Sequence, residues 1–198
     1  MDLPTSVVLT RCATGAKELG TIETLHREDA KNKIDAIWWV SSHGLIRRLE
    51  DEPDRHWQWR AIISRHQSKP SFQAKCVRTQ DSQIQAAMLF RVDAMSALEQ
   101  GQHAVFLDRL ATAPRNRDGL FDAPVFRGAG TGLLTYAVAL SYSLGFSGRV
   151  NLFPVANEEF YTSKGFRVTT VVAGEETLFE IPTNDAMRLL TERGLFDG

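Results

Sequence analysis

The stretch FRGAGTGLL, Phe126 to Leu134, narrows most what this chain can become. Gly128, Gly130 and Gly132 alternate, and the residues behind them carry Leu133, Leu134, Ala137, Val138, Leu140, Ser141 and Leu144 at helical spacing until Gly145 stops the run. A helix start presents unpaired backbone N–H groups and a partial positive charge. Glycines let a ligand come close to those groups, so the pattern suits an anion, and a phosphate is the first candidate.

Two familiar phosphate loops can be tested against these residues. A Walker loop needs Lys after its last glycine, where this chain has Leu133. A dinucleotide fingerprint needs G-x-G-x-x-G opening a first βαβ unit; here the spacing is G-x-G-x-G and it follows the third strand of a strand-rich stretch.

The rest of the pattern supplies that stretch. Ile34, Ile37, Trp38, Ser41, Ser42, Leu45 and Leu49 mark one face of an amphipathic helix ending before Pro53. Asp54 is expected to cap a second helix running to about His66, so the N-terminal third reads as helical. Phe72 to Arg78 and Ile84 to Val92 read as a hairpin around Thr79-Gln80-Asp81-Ser82, with a third strand at Ala104 to Thr112. After the glycine-led helix come a strand at Arg149 to Phe153 and a short helix from Asn157 to Lys164, ended by Gly165. A second hairpin, Phe166 to Val172 with Thr177 to Ile181, precedes a closing helix that Asn184 is expected to cap. The fold class is therefore mixed α/β, a mostly antiparallel sheet flanked by helices, with one central β-α-β step that demands parallel pairing, all in a single domain.

Composition excludes several classes. The chain has 198 residues, 43% hydrophobic and 24% charged, with a net charge of −1. It lacks the bulk positive field on which non-specific nucleic-acid or membrane-surface binding draws. The N-terminus is not a secretory signal and no apolar run reaches about 18 residues, so a cytoplasmic protein with no membrane partner is expected. Cys12 and Cys76 read as reduced thiols, and without Cys-x-x-Cys or clustered His no metal site is expected.

One further reading of the glycine stretch remains: R-x-x-G-x-G, satisfied by Arg127, Gly130 and Gly132 after a strand ending L-A-T-A-P. About 30 residues on stands F-Y-T-S-K-G-F, Phe160 to Phe166. Together, in this order and across one helix and one strand, the two motifs resemble the GCN5-related N-acetyltransferase (GNAT) family over roughly Phe72 to Ile181. The second is similar to the family's Y-x-x-x-G-F signature.

The resemblance implies an acetyl-coenzyme A-dependent N-acetyltransferase in which a primary amine attacks the thioester directly, with acetyl-coenzyme A as co-substrate and no metal. The pyrophosphate would lie on Arg127, Gly128, Ala129, Gly130, Thr131 and Gly132. The backbone of Leu110, Ala111 and Thr112 would meet the pantetheine and the acetyl carbonyl. Tyr161 would protonate the leaving thiolate. Relatives commonly have asparagine and alanine where this chain has Pro154 and Asn157, and Asn157 joins the expected coenzyme contacts. Asp108, Glu158 and Glu159 are the carboxylates to weigh as the base. The helices within residues 22–66 would lie near the acceptor site. RHWQWR, Arg55 to Arg60, places aromatic residues among cations, with core packing expected for at least one Trp.

An insertion, RNRDGLFDAPVF, separates Pro114 from Arg127 where relatives have a short turn; it either borders the acceptor site or is a surface insertion. Two rival functions stay open, a coenzyme A-binding module without catalysis and a toxin acetylating aminoacyl-tRNA. The second needs a basic face gathered from Arg47, Arg48, Arg55, Arg60 and Arg65. The acceptor, a small-molecule or peptide amine, is not specified by the residues, and neither is the choice between monomer and homodimer.

Overall fold

The computed structural model describes residues 2–39, 52–121 and 123–196. Among the described residues nine strands form one sheet in the order β6-β1-β2-β3-β4-β5-β7-β9-β8. In chain order they are β1 (Ser6–Arg11), β2 (Lys17–Thr24), β3 (Phe72–Arg78), β4 (Ile84–Met95), β5 (His103–Thr112), β6 (Phe126–Arg127), β7 (Val150–Leu152), β8 (Arg167–Ala173) and β9 (Glu176–Ile181). The helices are α1 (Arg27–Asp29), continued by a π-helical segment at Ala30–Asp35, α2 (Trp59–His66), α3 (Ala129–Ser143), α4 (Glu158–Thr162) and α5 (Thr183–Glu192). The expected mixed α/β sheet is present, and β5 and β7 supply the parallel pair.

By contacts the chain divides into two compact units. One comprises Thr5–Leu89 and Arg109–Leu133. It opens on a hairpin, β1 against β2, that corrects the helical reading of the N-terminal third. Sequence pattern hid it because Val8 and Leu19, a cross-strand pair, are both exposed, so apolar and polar residues do not alternate by burial. The core of this unit gathers Leu25, Ile34, Trp38, Trp57, Trp59, Cys76 and Leu89. Trp59 meets Trp38 and Trp57 edge-to-face with centroids 6.5 and 6.1 Å apart. Trp57 and Trp59 of RHWQWR are thus core residues, as expected.

The first amphipathic helix begins earlier than its apolar spacing suggested, and Ile37 is exposed, because the chain passes through one π-helical stretch that rotates the face. The portion expected from Ser41 to Leu49, with Arg47 and Arg48, lies outside the described residues. Helix α2 starts at Trp59 and Asp54 does not cap it. Its first N–H groups, those of Trp59 and Arg60, donate to Asp35 at 2.8 and 2.9 Å, a cap supplied from 24 residues upstream.

The other unit comprises Met1–Pro4, Phe90–Asp108 and Leu134–Gly198. Here β7 pairs with β5 on one side and with β9 on the other, and β8 closes the sheet edge. Arg149, only 4% exposed, donates to the His103 carbonyl, Glu99, Thr183 and Gln102. It ties the turn after β4 to the start of α5. Asn184 does not cap α5; Pro182 holds that position and Asn184 lies inside the helix.

Candidate active site

Strand β5 pairs with β7 at Val105–Val150, Phe106–Asn151 and Leu107–Leu152, and there the pairing ends. The strand itself runs on to Thr112. Along those last residues its far edge carries no partner strand among the described residues. Leu110 and Thr112 are half-buried and Ala111 is buried.

The chain returns from the insertion through Arg127 and Gly128 into α3. Gly128 takes φ +104, a left-handed conformation that favours glycine, and any Cβ there would stand 3.0 Å from the Val8 carbonyl oxygen. The Gly132 N–H closes the first helical bond onto the Gly128 carbonyl at 2.8 Å. The N–H groups of Ala129, Gly130 and Thr131 therefore stand ahead of the ladder. A Cβ on Gly130 would meet the Thr112 methyl at 3.0 Å, so the end of β5 and the first turn of α3 touch here. Gly132 is bare for another reason: a Cβ would fall 2.4 Å from Val7 Cγ2, and the helix packs on β1 only because none is present. Arg127 is well exposed and pairs with equally exposed Asp118 at 2.7 Å.

The insertion is not a loose surface loop. Its neck is closed by Val125 N–H to the Arg115 carbonyl, 2.9 Å, and by Phe126 N–H to Asn116 Oδ1, 3.0 Å. Asn116 also donates to Gln85 Oε1 at 3.0 Å, and Leu120 is fully buried. Arg117 binds Asp54 through both nitrogens at 2.6 and 2.5 Å, Glu52 at 2.8 Å, and the Thr112 carbonyl at 3.1 and 2.8 Å. Trp39 lies under its guanidinium at 5.1 Å. Burial pulls the Arg117 pKa down, but hydrogen bonds and charge from Asp54 and Glu52 outweigh it and hold it above its ordinary value. Sequence reading missed this cluster. Nothing in the spacing of Glu52, Asp54 and Arg117 shows that the fold brings them together.

In the second unit, α4 carries Tyr161. Asn157 precedes it at φ +57 and caps it, its side-chain oxygen accepting from the Phe160 N–H at 3.3 Å. The helix ends when Gly165 takes φ +94 and the Phe166 N–H reaches back to the Tyr161 carbonyl at 3.1 Å, a Schellman-type stop. The Tyr161 ring packs edge-on against Phe160 and Phe166. Burial pushes its phenol up to about 12. Glu158 and Glu159 are exposed in the first turn, and Asp108 is half-buried on β5.

Among the described residues no group of three or more His, Cys, Asp or Glu could hold a metal ion. No described helix is long and apolar enough to cross a membrane.

No protein-family model matches the sequence, and no curated protein does. Solved structures do match. The AtaTR complex bound with acetyl-coenzyme A aligns with 86% of this chain and 98% of its own at 19% identity and a TM-score of 0.54. A spermidine N-acetyltransferase variant from Vibrio cholerae aligns over 85% and 96% at 13% identity and 0.53. An acetyltransferase from Corynebacterium glutamicum aligns over 82% and 96% at 13% identity and 0.52. At these identities the likeness is one of fold, and the fold is that of the GNAT acetyltransferases.

Proposed function

We propose that this chain, built on the fold of the GCN5-related N-acetyltransferases, transfers an acetyl group from acetyl-coenzyme A to a primary amine by direct attack in a ternary complex. The observation that carries the reading is the start of α3. Three N–H groups stand ahead of the helical ladder beside a left-handed Gly128 and a bare Gly130, which suits a pyrophosphate. Arg127 adds a cation; its exposed bond to Asp118 is worth about 0–1 kcal/mol, so a phosphate displaces the carboxylate at little cost. Asn157 keeps its amide N–H groups for the coenzyme while its oxygen caps α4.

Acetyl-coenzyme A supplies the thioester. The edge of β5 from Leu110 to Thr112 offers N–H groups to the acetyl oxygen, where negative charge grows as the amine adds. The Thr112 carbonyl takes no part, because Arg117 already fills it with two donors. As the C–N bond forms and the C–S bond breaks, the departing sulfur takes the Tyr161 proton. Burial supports that role by keeping the phenol protonated across the working pH range. The amine gives up its own proton to water or to a carboxylate, of which Asp108, Glu158 and Glu159 are the candidates. That similar folds include a spermidine N-acetyltransferase supports an amine acceptor.

Calorimetric titration with acetyl-coenzyme A tests the reading. The parent is expected to bind in the micromolar range and Gly130→Glu, which fills the cradle with a carboxylate, to lose binding. If neither binds, the glycines form only a turn into a helix and the proposal fails. With an accepted amine in hand, Tyr161→Phe is expected to lose turnover while keeping coenzyme affinity, which also separates the enzyme from a non-catalytic binding module.

A further inference from the structure

Arg117 belongs to an insertion with no evident role in binding the coenzyme, yet its guanidinium is spent on the last residue of β5. Only 16% of its side chain is exposed, and Glu52 and Asp54 are more deeply buried still. Three fixed anchors converge on it. Asp54 binds it in the two-pronged geometry that sets both position and plane. Glu52 takes a second bond from the same nitrogen that reaches Asp54. Trp39 closes one face. So held, the guanidinium delivers two donors to one oxygen, the Thr112 carbonyl.

The same peptide plane is pinned at its other end, where the Ala113 N–H donates to the Gln85 carbonyl at 2.9 Å. Gln85 is itself fully buried and held by Thr79, Arg115 and Asn116. The Thr112–Ala113 peptide therefore cannot rotate without breaking bonds on both sides. Past Leu107, where pairing with β7 stops, this stretch of β5 keeps a sheet partner among the described residues on its β4 side alone, and without the clamp its open edge would be the more mobile one. The Thr112 methyl then rests on Gly130 of α3, so an error in this peptide is passed to the first turn of that helix.

We infer that Arg117 is a positioning residue: with Glu52 and Asp54 it fixes the Thr112 peptide, and so sets the backbone edge that meets the acetyl group. This rests on the acetyltransferase reading above. It gives the insertion a use, since residues 115–117 supply the clamp. Lysine cannot replace this arginine, because one ammonium cannot span a bidentate carboxylate and a carbonyl in the same plane.

The test compares acetyl-coenzyme A with coenzyme A, which lacks only the acetyl group, by calorimetry on the parent and on Arg117→Lys, each checked for a cooperative melt. Arg117→Lys is expected to weaken acetyl-coenzyme A about tenfold and coenzyme A less than about twofold. Equal weakening of both ligands, or of neither, overturns the positioning role and leaves the acetyltransferase reading standing. A parent that binds neither ligand removes that reading, and this inference with it. Should Arg117→Lys not fold, Asp54→Asn carries the same comparison. It keeps Arg117 and removes one anchor charge, and the same selective loss is expected at smaller size; its absence refutes the inference.

Discussion

Replacing Tyr161 by Phe removes one oxygen from a ring packed against Phe160 and Phe166, an oxygen with no hydrogen-bond partner among the described residues. No bond that holds the fold is lost and a largely desolvated polar group is gone. At pH 7 the variant is therefore expected within about 1 kcal/mol of the parent, on the more stable side. Alkaline pH separates the two. Burial raises the Tyr161 phenol to about 12, against roughly 10 in an unfolded chain. The folded value is the higher one, so the contribution is whole below pH 10 and is lost as pH climbs through 12. Relative to the variant, which has no phenol to ionise, the parent should lose about 0.4 kcal/mol by pH 10 and about 1.4 kcal/mol by pH 11. Cys76, also raised to about 12 by burial, weakens both proteins alike and cancels in the difference. Guanidinium unfolding followed by tryptophan fluorescence from pH 7 to 11 reads the gap directly. A variant weaker by more than about 1 kcal/mol at pH 7 means that the hydroxyl is bonded in the fold. A gap that stays constant with pH means that the phenol is not buried. Either result refutes the picture of an unpartnered, protonated Tyr161.

Gly132→Ala should lower stability by about 1–2 kcal/mol despite alanine's better helix propensity, because its Cβ meets Val7 at 2.4 Å; a melting temperature at or above the parent's would show that α3 has room over β1. Asp35→Ala should cost about 1 kcal/mol by leaving the first N–H groups of α2 without their acceptor, whereas Asp35→Asn should recover only part of it, because its one amide oxygen can accept from Trp59 or Arg60 but not from both; chemical denaturation checks the order. With a thiol-specific chromophore the native protein should titrate one cysteine, half-buried Cys12, and the unfolded protein two, since Cys76 is fully buried with its thiol pushed up to about 12.

What the sequence disclosed followed from local physics. The hairpin at β3 and β4, the glycine-led helix and the Asn157-to-Gly165 helix all carry their start, stop and apolar period within about a dozen residues. What it concealed is non-local. Asp35 caps a helix 24 residues away, and Asp54, which stands where a cap is expected, is drawn instead to an arginine 63 residues on. A side chain that satisfies a distant partner leaves no periodicity behind. The β1–β2 hairpin was hidden for the related reason that its outward face keeps Val8 and Leu19 in solvent.

The two motifs come apart once each residue is assigned to what holds it. In Y-x-x-x-G-F, the glycine answers to a left-handed helix stop and to Asp185, whose Cβ would lie 2.8 Å from any side chain there; the phenylalanine closes the stop through its N–H and its ring. Folding explains both, and it explains the ring of Tyr161, but not its hydroxyl. In the glycine run, Gly128 is fixed by its φ and Gly132 by Val7, whereas at Gly130 the only obstacle to a side chain among the described residues is one methyl of Thr112 at 3.0 Å. A conservative repacking, Thr112→Ser, would remove that obstacle, so packing alone does not require glycine at 130. If Gly130→Ala with Thr112→Ser is as stable as the parent yet binds acetyl-coenzyme A at least tenfold more weakly, Gly130 is bare for the ligand; unchanged affinity would assign it to the fold instead. The atoms that stability does not need, the Tyr161 oxygen and the space over Gly130, are where the chemistry has to be sought.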